Sequence, residues 1–227
     1  MMAIVLVVAA HPDDETLGAG ATIARHVAKG DDVSVVILGT GIAARKEKGI
    51  QTADELKSLR ADSKRALTKL GVSDVSFFDF PDNRFDSVDL LDIVKTIEAE
   101  VAKASPELVY THHWGDLNID HRRTFDAVMV ACRPAGSPVK KIMCFEVLSS
   151  TEWSAQTPAT AFLPNMFVDV SDTLAKKLAA LKEYKTEMRA YPHPRSLEGV
   201  ESLAKTRGLA IGVKAAEAFE IAREISR

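Results

Sequence analysis

Two periods run through the apolar positions of this chain. Short runs dominated by apolar residues, Ile4 to Ala10, Val33 to Leu38, Asp74 to Phe80, Glu107 to Thr111 and Lys141 to Val147, read as strands. The first is apolar on both faces, as in a parallel sheet covered by helices, and the second reads as buried. Between the strands lie longer stretches with apolar residues three and four apart. Thr16 to Ala28 carries Leu17, Ala21, Ala24 and Val27 on one side, and Ala53 to Leu70, Val88 to Ala104 and Arg122 to Cys132 also read as helices. Gly30 and Gly71 close the first two, as glycine does just past a helix end. Regular alternation of strand and helix predicts an α/β fold, a Rossmann-like, mostly parallel sheet flanked by helices with right-handed crossovers. In a doubly wound sheet the first strand is central, so the strand order begins 3-2-1-4-5.

Past Ser149 the pattern loosens. Thr151 to Asn165 reads as a long covering loop, Met166 to Val170 as a further strand, and Asp172 to Arg189 as a lysine-rich helix. Tyr191-Pro192-His193-Pro194-Arg195-Ser196 interrupts, and the remainder reads as helical, with Ala215 to Ile225 open. The polar, basic stretch from Ile42 to Thr52 reads as a loop at the carboxyl end of strand two. A length of 227 residues suits one α/β domain over 1–227, with a Rossmann-like core at 1–149 and a covering loop and C-terminal helices at 150–227 that complete the site.

Composition narrows the function. A hydrophobic share of 46% and a charged share of 27% are those of a soluble globular protein, and a net charge of −3 argues against nucleic-acid binding through a general positive field. The first apolar run is too short to cross a bilayer and lacks the basic lead-in of a secretory signal, so no membrane insertion is expected. Cys132 and Cys144 stand in apolar surroundings and offer no disulfide framework, which points to a reduced, cytoplasmic setting.

The candidate chemistry begins where strand one stops. His11-Pro12-Asp13-Asp14-Glu15 places an imidazole and three carboxylates at the edge of the sheet. Acids favour a helix N-terminus, which would explain them as plain capping. Carboxylates so crowded repel one another unless a cation sits among them. A second cluster, His112 to His121, follows strand four. The carboxyl ends of strands one and four flank the switch point of the predicted sheet, where such folds bind ligands, so topology brings the two clusters face to face. Two imidazoles and a carboxylate leave open positions on an ion such as Zn²⁺, and water on that ion becomes a nucleophile at neutral pH. A carboxylate that is not a ligand can then take the proton of that water. His11 and His121 are the imidazole candidates. Asp13 and Asp14 divide the roles of ligand and base, in an order that spacing leaves open.

Ala10-His11-Pro12-Asp13-Asp14-Glu15 after the first strand, with Asp120-His121 after the fourth, resembles the LmbE-like, or PIG-L, family of zinc-dependent deacetylases. The likeness extends through Pro81-Asp82-Asn83-Arg84 and Pro192-His193-Pro194-Arg195-Ser196. The resemblance implies one Zn²⁺ per chain held by His11, Asp14 and His121, with Asp13 as general base and with Glu15 and Asp120 orienting the ligands from behind. It implies hydrolysis of an N-acetyl group from a small amino-sugar compound of N-acetylglucosamine type, or of a related sugar–thiol or glycoside conjugate. It also implies a homo-oligomer, a trimer or hexamer. Asp82, Asn83, Arg84 and Arg195 are the expected substrate contacts. One position departs from the family pattern: many relatives carry a histidine three residues before the last ligand, and here it is Asn118. His112, His113 or His193 would take over its role, with His193 favoured for its proline-flanked setting, or Asp13 would return the proton it first accepted.

Three other functions match part of the pattern. A dinucleotide-binding dehydrogenase is suggested by Gly18-Ala19-Gly20, but the third glycine of that fingerprint would fall at Ile23 and no acid ends strand two. A non-haem iron oxygenase would fit a two-histidine, one-carboxylate triad, but those enzymes commonly use all-β folds. A sugar- or metal-binding module without activity is the third, because of Asn118.

Overall fold

The computed structural model describes residues 2–41 and 52–226. The loop expected from Ile42 therefore lies, apart from Thr52, outside the described residues. Seven strands form one sheet: β1 (Ile4–Ala9), β2 (Asp32–Gly39), β3 (Asp74–Phe80), β4 (Leu108–His112), β5 (Lys141–Phe145), β6 (Met166–Asp169) and β7 (Ala216–Glu224). Their order is β3-β2-β1-β4-β5-β7-β6, which contains the predicted 3-2-1-4-5. β1 to β5 run parallel, whereas β7 is antiparallel to both β5 and β6.

Helices cover both faces: α1 (Asp14–Ala28), α2 (Ala53–Leu70), α3 (Leu90–Ala104), α4 (Ile119–Ala131), α5 (Leu174–Leu181) and α6 (Leu197–Leu209). Because alternate strand side chains point to opposite faces, β1 feeds two cores at once. Val5 and Val7 pack with Leu17, Ile23, Leu67 and Leu181 beneath α1, α2 and α5, while Leu6 and Val8 pack with Ile93, Ile97 and Val128 beneath α3 and α4. The glycines of Gly18-Ala19-Gly20 serve this packing: a Cβ at Gly18 would strike the Phe145 ring, and one at Gly20 would lie 3.2 Å from the Lys177 stem. They let α1 lie close on the sheet and form no nucleotide loop.

One expectation for the C-terminal part is corrected and one open stretch is settled. The helix predicted over Asp172 to Arg189 spans only Leu174–Leu181. Beyond it Glu183 is drawn to Arg65 and Lys69 of α2, and Tyr184 turns inward to Glu15. The helical reading ahead of Ala215 corresponds to α6, and the stretch left open, Ala215 to Ile225, contains β7, inserted between β5 and β6. Its acidic residues disguised it, and two of them are buried: Glu217 faces Lys177 and Glu220 faces His113.

Candidate active site

β1 ends at Ala9 and β4 at His112, neighbouring strands whose connections leave in opposite directions, which is the switch point of the sheet. Asp13 is the N-cap of α1, and Asp14 and Glu15 lie in its first turn. His121 is in the first turn of α4, after Asn118 as N-cap. Asn118 caps the helix with its side chain, whose oxygen accepts the Asp120 N–H at 2.8 Å.

The predicted ligands converge. His11, Asp14 and His121 are all buried, and each offers a donor atom within 4.8 Å of the others. Asp14 Oδ2 lies 3.3 Å from His11 Nδ1 and 3.2 Å from His121 Nε2, and Asp14 Oδ1 is buried with no hydrogen-bond partner among the described residues. Each imidazole is held from its far side by a carboxylate. His11 Nε2 bonds Asp120 Oδ2 at 2.8 Å, and His121 Nδ1 lies 3.1 Å from Asp116 Oδ1. Asp120 is itself fixed by the Asn83 and Phe85 N–H groups. Asp116 accepts from the Ser150 and Thr151 hydroxyls and the Asn118 N–H. His112 stacks on His121 with ring centroids 3.9 Å apart, and its Nε2 accepts the Ala10 N–H at 2.8 Å.

The electrostatics favour positive charge at the centre of this cluster. Burial pushes the Asp14 carboxyl up, but the three imidazoles around it, His121 foremost, outweigh that and hold it well below the usual range. Burial works against a charged His121, yet Asp14 and Asp116 raise its pKa to about 9. Two imidazoles, a buried carboxylate with an orphaned oxygen and oriented far-side partners are the donor set of an open Zn²⁺ site, so the residues present fit the ion the fold implies.

Asp13 stands apart from the triad. Burial raises its carboxyl well above the usual range against the pull of Arg195, whose Nη1 donates to Asp13 Oδ2 at 2.9 Å. Both line a small cleft of about 60 Å³ together with His11, Asp14, Gly41, Asp82, Asn83, Asn118 and Glu187. Of the expected substrate contacts, Asp82, Asn83 and Arg195 therefore meet in the cleft, whereas Arg84 is exposed outside its lining. His193 is outside it too: its ring is edge-on to Trp153 and its Nδ1 accepts the Arg195 N–H. His113 points to the opposite side of β4 from His112, toward Glu220. His11 is the one histidine in the lining.

Comparison with known proteins supplies the family. The family model for PIG-L, GlcNAc-PI de-N-acetylase, matches residues 6–132. The chain belongs to the PIG-L family. It is 31% identical to the uncharacterized deacetylase YaiS of Escherichia coli (strain K12), over 80% of this chain and 90% of that protein. It is 28% identical to a 1D-myo-inositol 2-acetamido-2-deoxy-alpha-D-glucopyranoside deacetylase of Mycobacterium sp. (strain JLS), over 84% of this chain and 76% of that one. Family and relatives make it a hydrolytic N-deacetylase. The crystal structure of GalB, a 4-carboxy-2-hydroxymuconate hydratase from Pseudomonas putida KT2440, superposes with a TM-score of 0.77 at 22% identity, over all of this chain and 98% of that one. That likeness speaks for the fold alone, since one fold hosts different reactions.

Within the PIG-L framework, the sequence reading did not single out Asp116, Tyr184 or Glu187. Asp116 resembled an ordinary turn acid, and the other two fell in a stretch read as the face of a lysine-rich helix. Asp116 had one usable signal, its place in the same post-β4 loop as His121.

Proposed function

We propose that this PIG-L protein is a zinc-dependent enzyme that removes the acetyl group from the nitrogen of a small N-acetylglucosamine-type compound, with Asp13 as general base. The observation that carries the reading is a buried carboxylate, Asp13, that shares a cleft with His11 and Asp14 of the triad they form with His121 and is held by Arg195. His11, Asp14 and His121 would hold the ion, which when bound supplies a Lewis acid for the amide oxygen and lowers the pKa of water.

The side chains account for the rest. Arg195 occupies Asp13 Oδ2, so Oδ1 is the atom that takes the proton of the attacking water. The carboxyl then holds that proton readily, because burial favours its neutral form. It returns the proton to the departing amine, which assigns Asp13 both halves of the transfer. This matches a cleft whose lining carries Asn118 at the position of the usual histidine and no histidine beyond His11. Asp82 and Asn83 line the same wall and suit the hydroxyls of a sugar. The amino-sugar class rests on the mycobacterial relative, whose substrate carries a 2-acetamido sugar.

The test is acetate release from a panel of N-acetylglucosamine derivatives, paired with the appearance of primary amine. Turnover is expected with zinc and is expected to vanish with a chelator and return on adding metal back. Release unaffected by chelation, or none from any member of the panel by the metal-loaded protein, overturns the proposal.

A further inference from the structure

Asp13 occupies a backbone conformation that side chains other than glycine rarely adopt, with φ 113° and ψ −29°. It is an N-cap residue, yet its carboxylate makes no capping bond to the turn it starts. An aspartate at that place ordinarily accepts an N–H of its own helix. Here the left-handed backbone turns the carboxylate away into the cleft, to Arg195.

The conformation is held by the residue two positions on. Glu15 Oε2 accepts the Asp13 N–H at 3.1 Å, and its other oxygen, Oε1, accepts from Thr16 Oγ1 at 2.6 Å and from Tyr184 Oη at 2.5 Å. Glu15 and Tyr184 are fully buried and Asp13 nearly so. Of the three bonds on the Glu15 side chain, only that from Tyr184 comes from a distant element, just past α5, 169 residues away in sequence. The Thr16 hydroxyl belongs to the same helix turn and moves with it. Tyr184 is therefore the tie that fixes the carboxylate relative to the rest of the molecule. The chain that follows it supplies Glu187 and Arg195 to the cleft, so one C-terminal segment grips Asp13 twice, at its backbone through Glu15 and at its carboxylate through Arg195.

We propose that Tyr184 is a positioning residue for Asp13, acting through Glu15 to hold the Asp13 backbone in the left-handed conformation that delivers its carboxylate to the reacting water. The proposal rests on Asp13 being the base. The Tyr184 hydroxyl bonds Glu15, which is neither in the metal triad nor in the lining of the cleft, so its loss should leave binding of metal and substrate alone and slow the step Asp13 performs. A displacement of a catalytic group by about 1 Å can cost on the order of 100-fold in rate.

The experiment compares the metal-loaded wild-type protein with Tyr184→Phe, which removes one hydroxyl and keeps the ring. We expect wild-type zinc content, KM within about twofold and kcat lower by roughly 10- to 100-fold. A variant that folds, holds zinc and keeps the wild-type kcat overturns the inference, as does one that loses thermal stability but not turnover per metal-loaded site. Should Tyr184→Phe fail to fold, Glu15→Met, which keeps the length of the side chain and removes both acceptor oxygens joining Tyr184 to the Asp13 N–H, must show the same selective loss of kcat; unchanged turnover there overturns the relay through Glu15. A crystal structure of Tyr184→Phe separates this from failure of the functional reading. If the wild-type protein deacetylates nothing, the assignment of Asp13 as base falls, while retention of φ near 113° in the variant overturns the positioning role by itself.

Discussion

At the scale of single residues, the site divides adjacent carboxylates by what surrounds them. Asp14 is ringed by imidazoles and kept ionised, whereas Asp13 is buried with one arginine and biased toward its neutral form. Asp13→Ala should therefore keep the metal and lose nearly all turnover, and His11→Ala should lose the metal; metal analysis of the purified variants beside acetate release checks both. Retention of zinc by both variants, or turnover in the first, contradicts the division of roles. Asp116 makes a subtler case. It lies 3.1 Å from His121 Nδ1 and is clamped by Ser150, Thr151 and the Asn118 N–H. Removing such a far-side partner typically weakens metal binding by about 10- to 100-fold. Asp116→Ala should show that loss in a zinc competition titration, and an unchanged affinity would remove Asp116 from the site. The meeting of His11 and His121 was legible in the sequence because it needs only topology: a parallel sheet begun by β1 and continued on its other side by β4 makes them neighbours, whereas the choice of Asp14 over Asp13 as ligand came from the family resemblance. Asp116, Tyr184 and Glu187 were not legible, since what gives each its place is a contact between segments that share no local pattern.

At the scale of elements, α1 is the part on which site and scaffold meet, and it is held in the middle as well as at its start. Lys177 of α5 donates to the Leu17 carbonyl at 2.7 Å and to Glu217 of β7 at 2.6 Å, and Glu217 accepts the N–H groups of Ala21 and Thr22. Thr173, the N-cap of α5, donates to the Ala21 carbonyl. Three elements are thus joined by a buried ion pair laid along one helix turn, and Gly20 leaves room for the lysine stem. Breaking one half of a buried pair strands the other charge and costs roughly 3–5 kcal/mol, while replacing both halves is far milder. Lys177→Met should lower stability to chemical denaturation by that amount, and Lys177→Met with Glu217→Gln should recover much of it. Additive losses in the double variant would show that the two side chains do not act as a pair. The same contacts explain why β7 escaped the sequence reading. Ala216-Glu217-Ala218-Phe219-Glu220 has acids where a buried strand shows apolar residues, and partners from α1, α5 and the residue after β4 make those acids tolerable inside.

At the scale of the whole molecule, one sheet serves two cores, and the C-terminal segment is woven into it and not laid over it. β7 sits between β5 and β6, and Arg223 near its end donates to the Cys132 carbonyl beyond α4. The thiols of Cys132 and Cys144 report on this weave, since both are wholly buried and lie near opposite ends of β7's contact with the core. Burial pushes the Cys132 thiol up to about 11 and raises that of Cys144 further. At pH 8 the thiolate fraction of Cys132 is then on the order of 1 in 1,000, and neither sulfur is open to a reagent, so the native protein should leave a thiol reagent such as DTNB unreacted. Labelling must wait for opening, and a sheet whose last-made strand is internal has no simple way to open at one end. Both cysteines should therefore react together, at a denaturant concentration that coincides with loss of the far-UV signal. Zinc at saturating concentration should move that midpoint upward if, as proposed, the folded triad holds it and the unfolded chain does not. Prompt reaction of one thiol in native buffer, or labelling of Cys144 well below the global transition, would mean that β5, β7 and β6 separate from β1 to β4 as a distinct unit.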